Sequence, residues 1–277
     1  MVAAAITIIM VGLVVQITGD VLKVWNRSVG KLSANAEARI AMELLTSDLE
    51  AAVLVNNGQQ WLRVESETDV GAPTTGQTVG LKLFSPALDR PEIQADGTDE
   101  AGNICAIGYR LAFAPAYTGA STNTFVLFRS LEGPTDTFNE LLGPSTDDPQ
   151  LTLSEASPKQ FWKAANTTAP DNYLAGNIVD FKVFIYGLDS DGNEVILNDA
   201  NDNGTIEPSE MFAYGGTDST GEVPNFVEIV LTVVSNDGLE ILSLPELTGT
   251  GFEDVPAVLR QHGKVFKRRV NLVAQPL

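Results

Sequence analysis

The sequence predicts an α+β fold, a long N-terminal helix followed by a mostly antiparallel, β-rich globular domain. Three observations carry this expectation. Met1 to Thr18 hold no charged side chain and only one amide, Gln16. A helical pattern without proline then continues to about residue 55. Beyond it, short β-branched and aromatic runs are separated by Gly, Pro, Asp and Asn, with no internal repeat and no low-complexity linker.

As a helix, the first eighteen residues span roughly 27 Å, close to the thickness of a bilayer's hydrocarbon core. Residues 1–19 are therefore expected to form a transmembrane or filament-core half. Residues 20–55 form the amphipathic half, with apolar positions at Leu22, Trp25, Val29, Leu32, Ala36, Ile40, Leu44, Leu45, Leu49 and Val53. Steps of three and four place these on one face, and the last part of that face is expected to pack on the domain. Lys23, Arg27, Lys31, Arg39, Glu43 and Glu50 take other positions. Gly12, Gly19 and Gly30 each cost up to about 1 kcal/mol relative to Ala in a helix, which marks them as sites of close packing or loosening. Asn56-Asn57-Gly58 supplies the stop.

The globular domain, 56–277, is expected to hold strands at 61–66, 79–84, 104–114, 124–131, 178–186, 194–197, 226–235 and 264–273. Residues 187–193 read as a hairpin connection, and a short helix at 137–142 is expected within a long loop.

Formal charge is −19, and the helical start contributes almost none of it. Between Lys182 and Arg260 there are fifteen acidic residues and no basic one. Such a surface repels nucleic acid and anionic headgroups and favours divalent cations. Cys105, the only cysteine, excludes an internal disulfide and reads as a small buried hydrophobe. His262, the only histidine, excludes any mechanism that needs two imidazoles, and is expected in a surface turn before the last strand. The basic run 264–270 is expected to cover one face of that strand, where it could pair with a neighbouring subunit's acidic surface. No phosphate loop, nucleophile elbow or paired His/Cys ligands occur, so the sequence points away from an enzyme.

One motif carries chemistry. Asp199-Ala200-Asn201-Asp202-Asn203-Gly204-Thr205-Ile206-Glu207-Pro208-Ser209-Glu210 matches the twelve-residue calcium loop. Asp199, Asn201 and Asn203 place side-chain oxygens at positions one, three and five, and Gly204 allows the sharp turn. Thr205 offers its carbonyl, Glu207 acts directly or through water, and Glu210 can supply both carboxylate oxygens. No helical pattern precedes the loop, so a lone structural Ca2+ site is expected. The alternative is a plain acidic turn. A second acidic turn, Asp189-Ser190-Asp191-Gly192-Asn193, reads as the hairpin itself, although it could donate ligands.

A charge-free N-terminal helix, an amphipathic continuation and a β-rich domain resemble the type IV pilin-like superfamily. Residues 36–53, Ala-Glu-Ala-Arg-Ile-Ala-Met-Glu-Leu-Leu-Thr-Ser-Asp-Leu-Glu-Ala-Ala-Val, resemble the J-type minor pseudopilins of type II secretion and the W-type minor pilins. Residues 179–186 and 223–231 are similar to the later strands of that family, and 104–113 and 125–142 to prepilin-like proteins of the Verru_Chthon cassette. The basic leader and aromatic-Thr-Leu-x-Glu-Leu start of that family are not present, and Met1 begins as the segment after the Glu-Leu pair would. The resemblance thus implies a leader and a glutamate upstream of Met1.

It further implies a filament subunit that assembles with other pilin-like subunits through its helix, leaving the inner membrane as it does so. The domain would lie in the periplasm or outside the cell, available to secreted cargo or a surface ligand. By the positive-inside tendency alone, Lys23 and Arg27 would stay cytoplasmic. Two rivals share the features read from the residues: a membrane-anchored, calcium-binding adhesin, and an anchored polysaccharide hydrolase that would need two converging carboxylates.

Overall fold

The structure, a computed structural model, describes residues 2–55, 59–67, 78–86, 92–93, 99–100, 104–120, 123–142, 153, 161–162, 164–199, 201, 210–215, 223–242 and 255–272. Helix α1 runs unbroken from Val2 to Glu50. It ends a few residues earlier than the sequence pattern suggests, because the backbone is recruited by the sheet. Ala52 N–H bonds the Leu49 carbonyl at 3.2 Å, and Val53 N–H crosses to the Phe84 carbonyl at 2.8 Å. The expected stop signal at 56–58 lies outside the described residues.

In chain order there follow β1 (Leu62–Glu67), β2 (Thr78–Ser85), β3 (Glu92–Ile93), β4 (Asp99–Glu100), β5 (Cys105–Pro115) and β6 (Asn123–Glu132). A single helical turn, α2 (Pro134–Asp136), runs into π-helical residues Thr137–Leu142, and α3 (Ala164–Thr167) and a 3-10 turn (Pro170–Asn172) lead to β7 (Tyr173–Gly176). Then come β8 (Ile178–Leu188), β9 (Glu194–Ile196), β10 (Phe212–Tyr214), β11 (Phe226–Val234), α4 (Asn236–Leu242), α5 (Val255–His262) and β12 (Gly263–Asn271). All eight expected strands form, and their ends move by a residue or two. His262 ends a helix instead of sitting in a turn, and it is half-buried.

Among the described residues β3 and β4 form a separate two-stranded ladder. Two large antiparallel sheets build the domain, one in the order β10-β1-β2-β5-β6-β7 and one in the order β12-β11-β8-β9. Their inner faces enclose a single main core that includes Leu62, Leu81, Ile107, Phe181, Ile229 and the thiol of Cys105. Strand β8 packs across β2, β5 and β6, and α1 closes one end against β7, β11 and β12.

One buried polar cluster fixes how α1 meets the sheet. Tyr109 and Arg129 are directly opposite each other on β5 and β6. Arg129 donates from Nε to Asp48 Oδ2 at 2.8 Å and from Nη2 to Oδ1 at 3.1 Å, and the Tyr109 hydroxyl donates to the same carboxylate. All three side chains are buried. Burial, with Asp48 adding to it, raises the Tyr109 hydroxyl well above the ordinary tyrosine range.

The outer face of the six-stranded sheet carries a second cluster. Glu65 accepts from Arg63 Nε at 2.6 Å and from the Lys82 ammonium. Burial alone would raise the Glu65 carboxyl, but Lys82 and Arg63 outweigh it and hold it below its ordinary value. Trp162, fully buried, covers this region over Gly108. A Cβ at Gly108 would lie 2.8 Å from Ser130 Oγ and 3.4 Å from the Trp162 ring, so a larger residue there would have to displace the Ser130 hydroxyl.

Removing one member of a buried ion pair strands the other charge. Arg129→Met should therefore lower unfolding free energy by about 3–5 kcal/mol in denaturant titrations, while Asp48→Leu combined with Arg129→Met should recover much of that loss. A single variant within about 0.5 kcal/mol of the parent would contradict the assignment.

Candidate functional site

At 3.6 residues per turn, α1 presents two faces roughly 160° apart. Of the apolar positions expected on one face, the last ones, Leu45 and Leu49, dock and are buried as expected, whereas Leu22, Trp25, Val29, Leu32, Ala36 and Ile40 point away from the domain. Trp25 is 67% exposed, Leu32 69% and Ile40 54%. Docking runs through Ala34, Ala38, Ala41, Met42, Leu45 and Leu49, all buried. In the earlier turns small side chains let the helix backbone approach the domain closely, and Leu32 and Ile40 are left facing out. Gly30 continues this docking face: a Cβ there would sit 3.3 Å from Asn236 Nδ2. At Gly12 and Gly19 a Cβ would meet nothing within 4 Å.

Two carboxylates peg the docked face. Asp48 is held as described above. Glu37, about three turns earlier, accepts from the Tyr173 hydroxyl at 2.9 Å and from the Gly176 N–H at 2.8 Å. Burial and then the Glu37 hydrogen bond push the Tyr173 hydroxyl up to about 12.

The helix is long and apolar enough to cross a bilayer, and none of its apolar window is buried by the domain. Exposed apolar side chains run from Ile9 to Ile40, roughly 46 Å along the axis. A bilayer's hydrocarbon core is about 30 Å thick, so the unpartnered stripe exceeds what spanning alone requires.

The twelve-residue acidic loop begins where β9 ends and finishes just before β10. These are edge strands of different sheets, so the loop joins the two layers at one side of the domain. Asn198 pins its start: Oδ1 accepts from Ile185 N–H at 2.8 Å, and Nδ2 donates to the Val183 carbonyl at 2.8 Å. Asp199 follows, 3% exposed. Asn201 and Glu210 are described as well, whereas Asn203, Thr205 and Glu207 lie outside the described residues. Among the described residues, no group of three His, Cys, Asp or Glu is poised around a common centre.

The other acidic turn spends its oxygens on itself. Asp189 Oδ1 accepts from the N–H groups of Asp191 and Asn193 at 2.9 and 2.8 Å, and Oδ2 accepts from Asn193 Nδ2 at 3.1 Å. These bonds, led by the Asn193 N–H, hold the Asp189 carboxyl below its ordinary value. It is a hairpin turn between β8 and β9.

No protein-family model and no curated protein matches the sequence. Among solved structures, the chain is similar to a type IV-like pilin from Thermus thermophilus, at 10% identity and a TM-score of 0.36, over 87% of this chain and 97% of that one.

A tyrosine raised to about 12 keeps its proton in the folded chain where the unfolded chain loses it near pH 10. Its stabilising contribution is therefore full below about pH 10 and is lost as pH climbs toward 12. Tyr173→Phe should flatten the fall in denaturation midpoint over that window. An unchanged slope would argue against the Glu37–Tyr173 contact.

Proposed function

We propose that this chain is a non-enzymatic structural subunit of a pilin-like filament, of the minor pseudopilin or minor pilin kind. Before assembly, α1 anchors it in the inner membrane. In the filament, the outward stripe of α1 packs among the helices of neighbouring pilin-like subunits. The domain then lies on the periplasmic or extracellular side, where it meets neighbours and cargo.

The observation that carries this reading is the two-faced helix. A helix that only anchored a domain would end its apolar exposure near the bilayer surface. Here large apolar side chains remain exposed to Ile40, past Lys23, Arg27, Lys31 and Arg39, while from Gly30 to Leu49 the opposite side is engaged with the domain. That arrangement favours helix-mediated assembly over a membrane-anchored adhesin, which shares every other feature. Leu32→Asp tests it. Being exposed, the change should shift folding stability by no more than about 0.5 kcal/mol, yet abolish co-purification with pilin-like partners. Intact co-purification would overturn the reading.

We also propose that the loop from Asp199 to Glu210 binds one Ca2+. Asp199, Asn201, Asn203 and Glu210 would contribute side-chain oxygens, Thr205 its carbonyl, and Glu207 a direct or water-mediated contact. Support comes from the donor set, all hard oxygens, and from the buried Asp199 at the pinned start of the loop. A cation there would neutralise the loop's carboxylates and tie together the edges of the two sheets. Calcium at about 100 times its dissociation constant should stabilise the full chain in detergent by about 2.7 kcal/mol, seen as a higher melting temperature. Glu210→Gln should weaken that response. No response in the parent chain would remove the proposal.

A further inference from the structure

The formal charge of −19 argues against contact with anionic lipid, but its distribution reverses that locally. Arg63, Lys82, Arg110 and Arg129 are buried in the six-stranded sheet and contribute little to the surface. Among the described residues, every fully exposed cation falls within 23–39 or 260–269. Helix α1 packs on β12, so these two stretches lie side by side.

They meet at the end of the domain nearest the apolar half of α1. There a cleft of about 250 Å³ opens between α1 and the junction of β11, α5 and β12. Lys31, Asn35, Ser235, Gln261, His262 and Lys264 supply its polar lining. Its walls are held by the backbone: Ser235 N–H donates to the His262 carbonyl at 3.1 Å. Gly238 leaves room for the imidazole, since a Cβ at that position would lie 2.6 Å from His262 Cβ. The adjoining cleft contains Asp20, Lys23, Arg27 and Asp237, and Arg27 is neutralised by Asp237 at 2.7 Å. The two clefts together hold four Lys or Arg and two carboxylates. A net positive site with ammonium, imidazole and amide donors suits a phosphate-type oxyanion.

Position selects the source. Trp25, exposed on α1, is the kind of aromatic side chain that settles at a membrane–water interface. Lys31 follows it by roughly 9 Å along the helix. The headgroup layer is about 5–8 Å deep, and a long lysine side chain reaches back toward it. We propose that this cleft binds the phosphate group of an anionic phospholipid while the chain is anchored. The inference rests on the anchoring role proposed above, and it adds a headgroup preference that orients the domain on the bilayer before assembly.

The lone histidine makes the test direct, because its imidazole gives one unambiguous NMR signal. The full chain would be placed in phosphatidylcholine nanodiscs with increasing phosphatidylglycerol. The His262 ring signal should move and saturate. Lys31→Ala and Lys264→Ala should each raise the half-saturating fraction about five-fold, while Lys267→Ala, paired with Glu228, should leave it unchanged. Unchanged signals elsewhere in the domain show that the variants remain folded. An inserted chain whose His262 signal ignores phosphatidylglycerol would overturn the proposal. So would an equal shift on adding inorganic phosphate to pure phosphatidylcholine discs, which would make the site one for free phosphate. Failure to insert into either disc would overturn the anchoring role itself.

Discussion

A carboxylate inside a protein is tolerable only if its charge and lone pairs are met. Asp48 meets that condition through Arg129 and Tyr109, on two neighbouring strands. Rotating α1 by even one residue would take the carboxylate out of reach and leave the guanidinium buried without its partner. The cluster thus fixes the rotation and the height of the helix on the sheet. Glu37 repeats the device about three turns away, on nearly the same line of the helix. Every other statement about what α1 shows to the outside follows from this placement.

With the rotation fixed, the distribution of side-chain size along α1 acquires meaning. Alanines and Gly30 lie where the helix meets the domain, and Gly30 leaves room for Asn236. Trp25, Val29, Leu32 and Ile40 are exposed, covered by none of the described residues. A helix that leaves Trp25, Val29, Leu32 and Ile40 facing outward, while Gly30, Ala34, Ala38 and Ala41 make the contacts of the same turns, holds apolar area in reserve for an environment not yet present. In the proposed role, lipid would meet that need for the first turns and other helices further along.

Much of the fold was legible in the sequence. The strands reveal themselves by β-branched and aromatic runs, and all eight expected segments pair. Strands β7 and β10 have four and three residues and depend on register with β6 and β1, which local pattern does not encode. Helix α5 carries a start signal that was readable, Pro256 near its first position. Leu45 and Leu49 dock as the pattern indicates, but the earlier turns dock through Gly30, Ala34, Ala38 and Ala41, which hydrophobic periodicity overlooks because it weights Leu, Trp and Val above Ala and Gly. The spacing of Gly30, Ala34, Ala38 and Ala41 was the available clue. The burial of Arg63, Lys82 and Arg110 on β1, β2 and β5 has no signal in the local pattern, and for Lys82 it comes from Trp162, whose ring lies 5.8 Å from the ammonium. Of the twelve-residue acidic loop, the sequence supplies the ligand pattern behind the calcium proposal, and the structure adds that the loop links two sheet edges.

The central claim is that α1 keeps one face for its own domain and the other for neighbouring subunits. Site-specific photo-crosslinking in producing cells addresses it directly, with the crosslinker placed at Leu32 or at Ala38. The two-faced helix predicts adducts to other pilin-like subunits from Leu32 and only intramolecular adducts from Ala38. Intersubunit adducts from Ala38, or none but lipid adducts from Leu32, would contradict it.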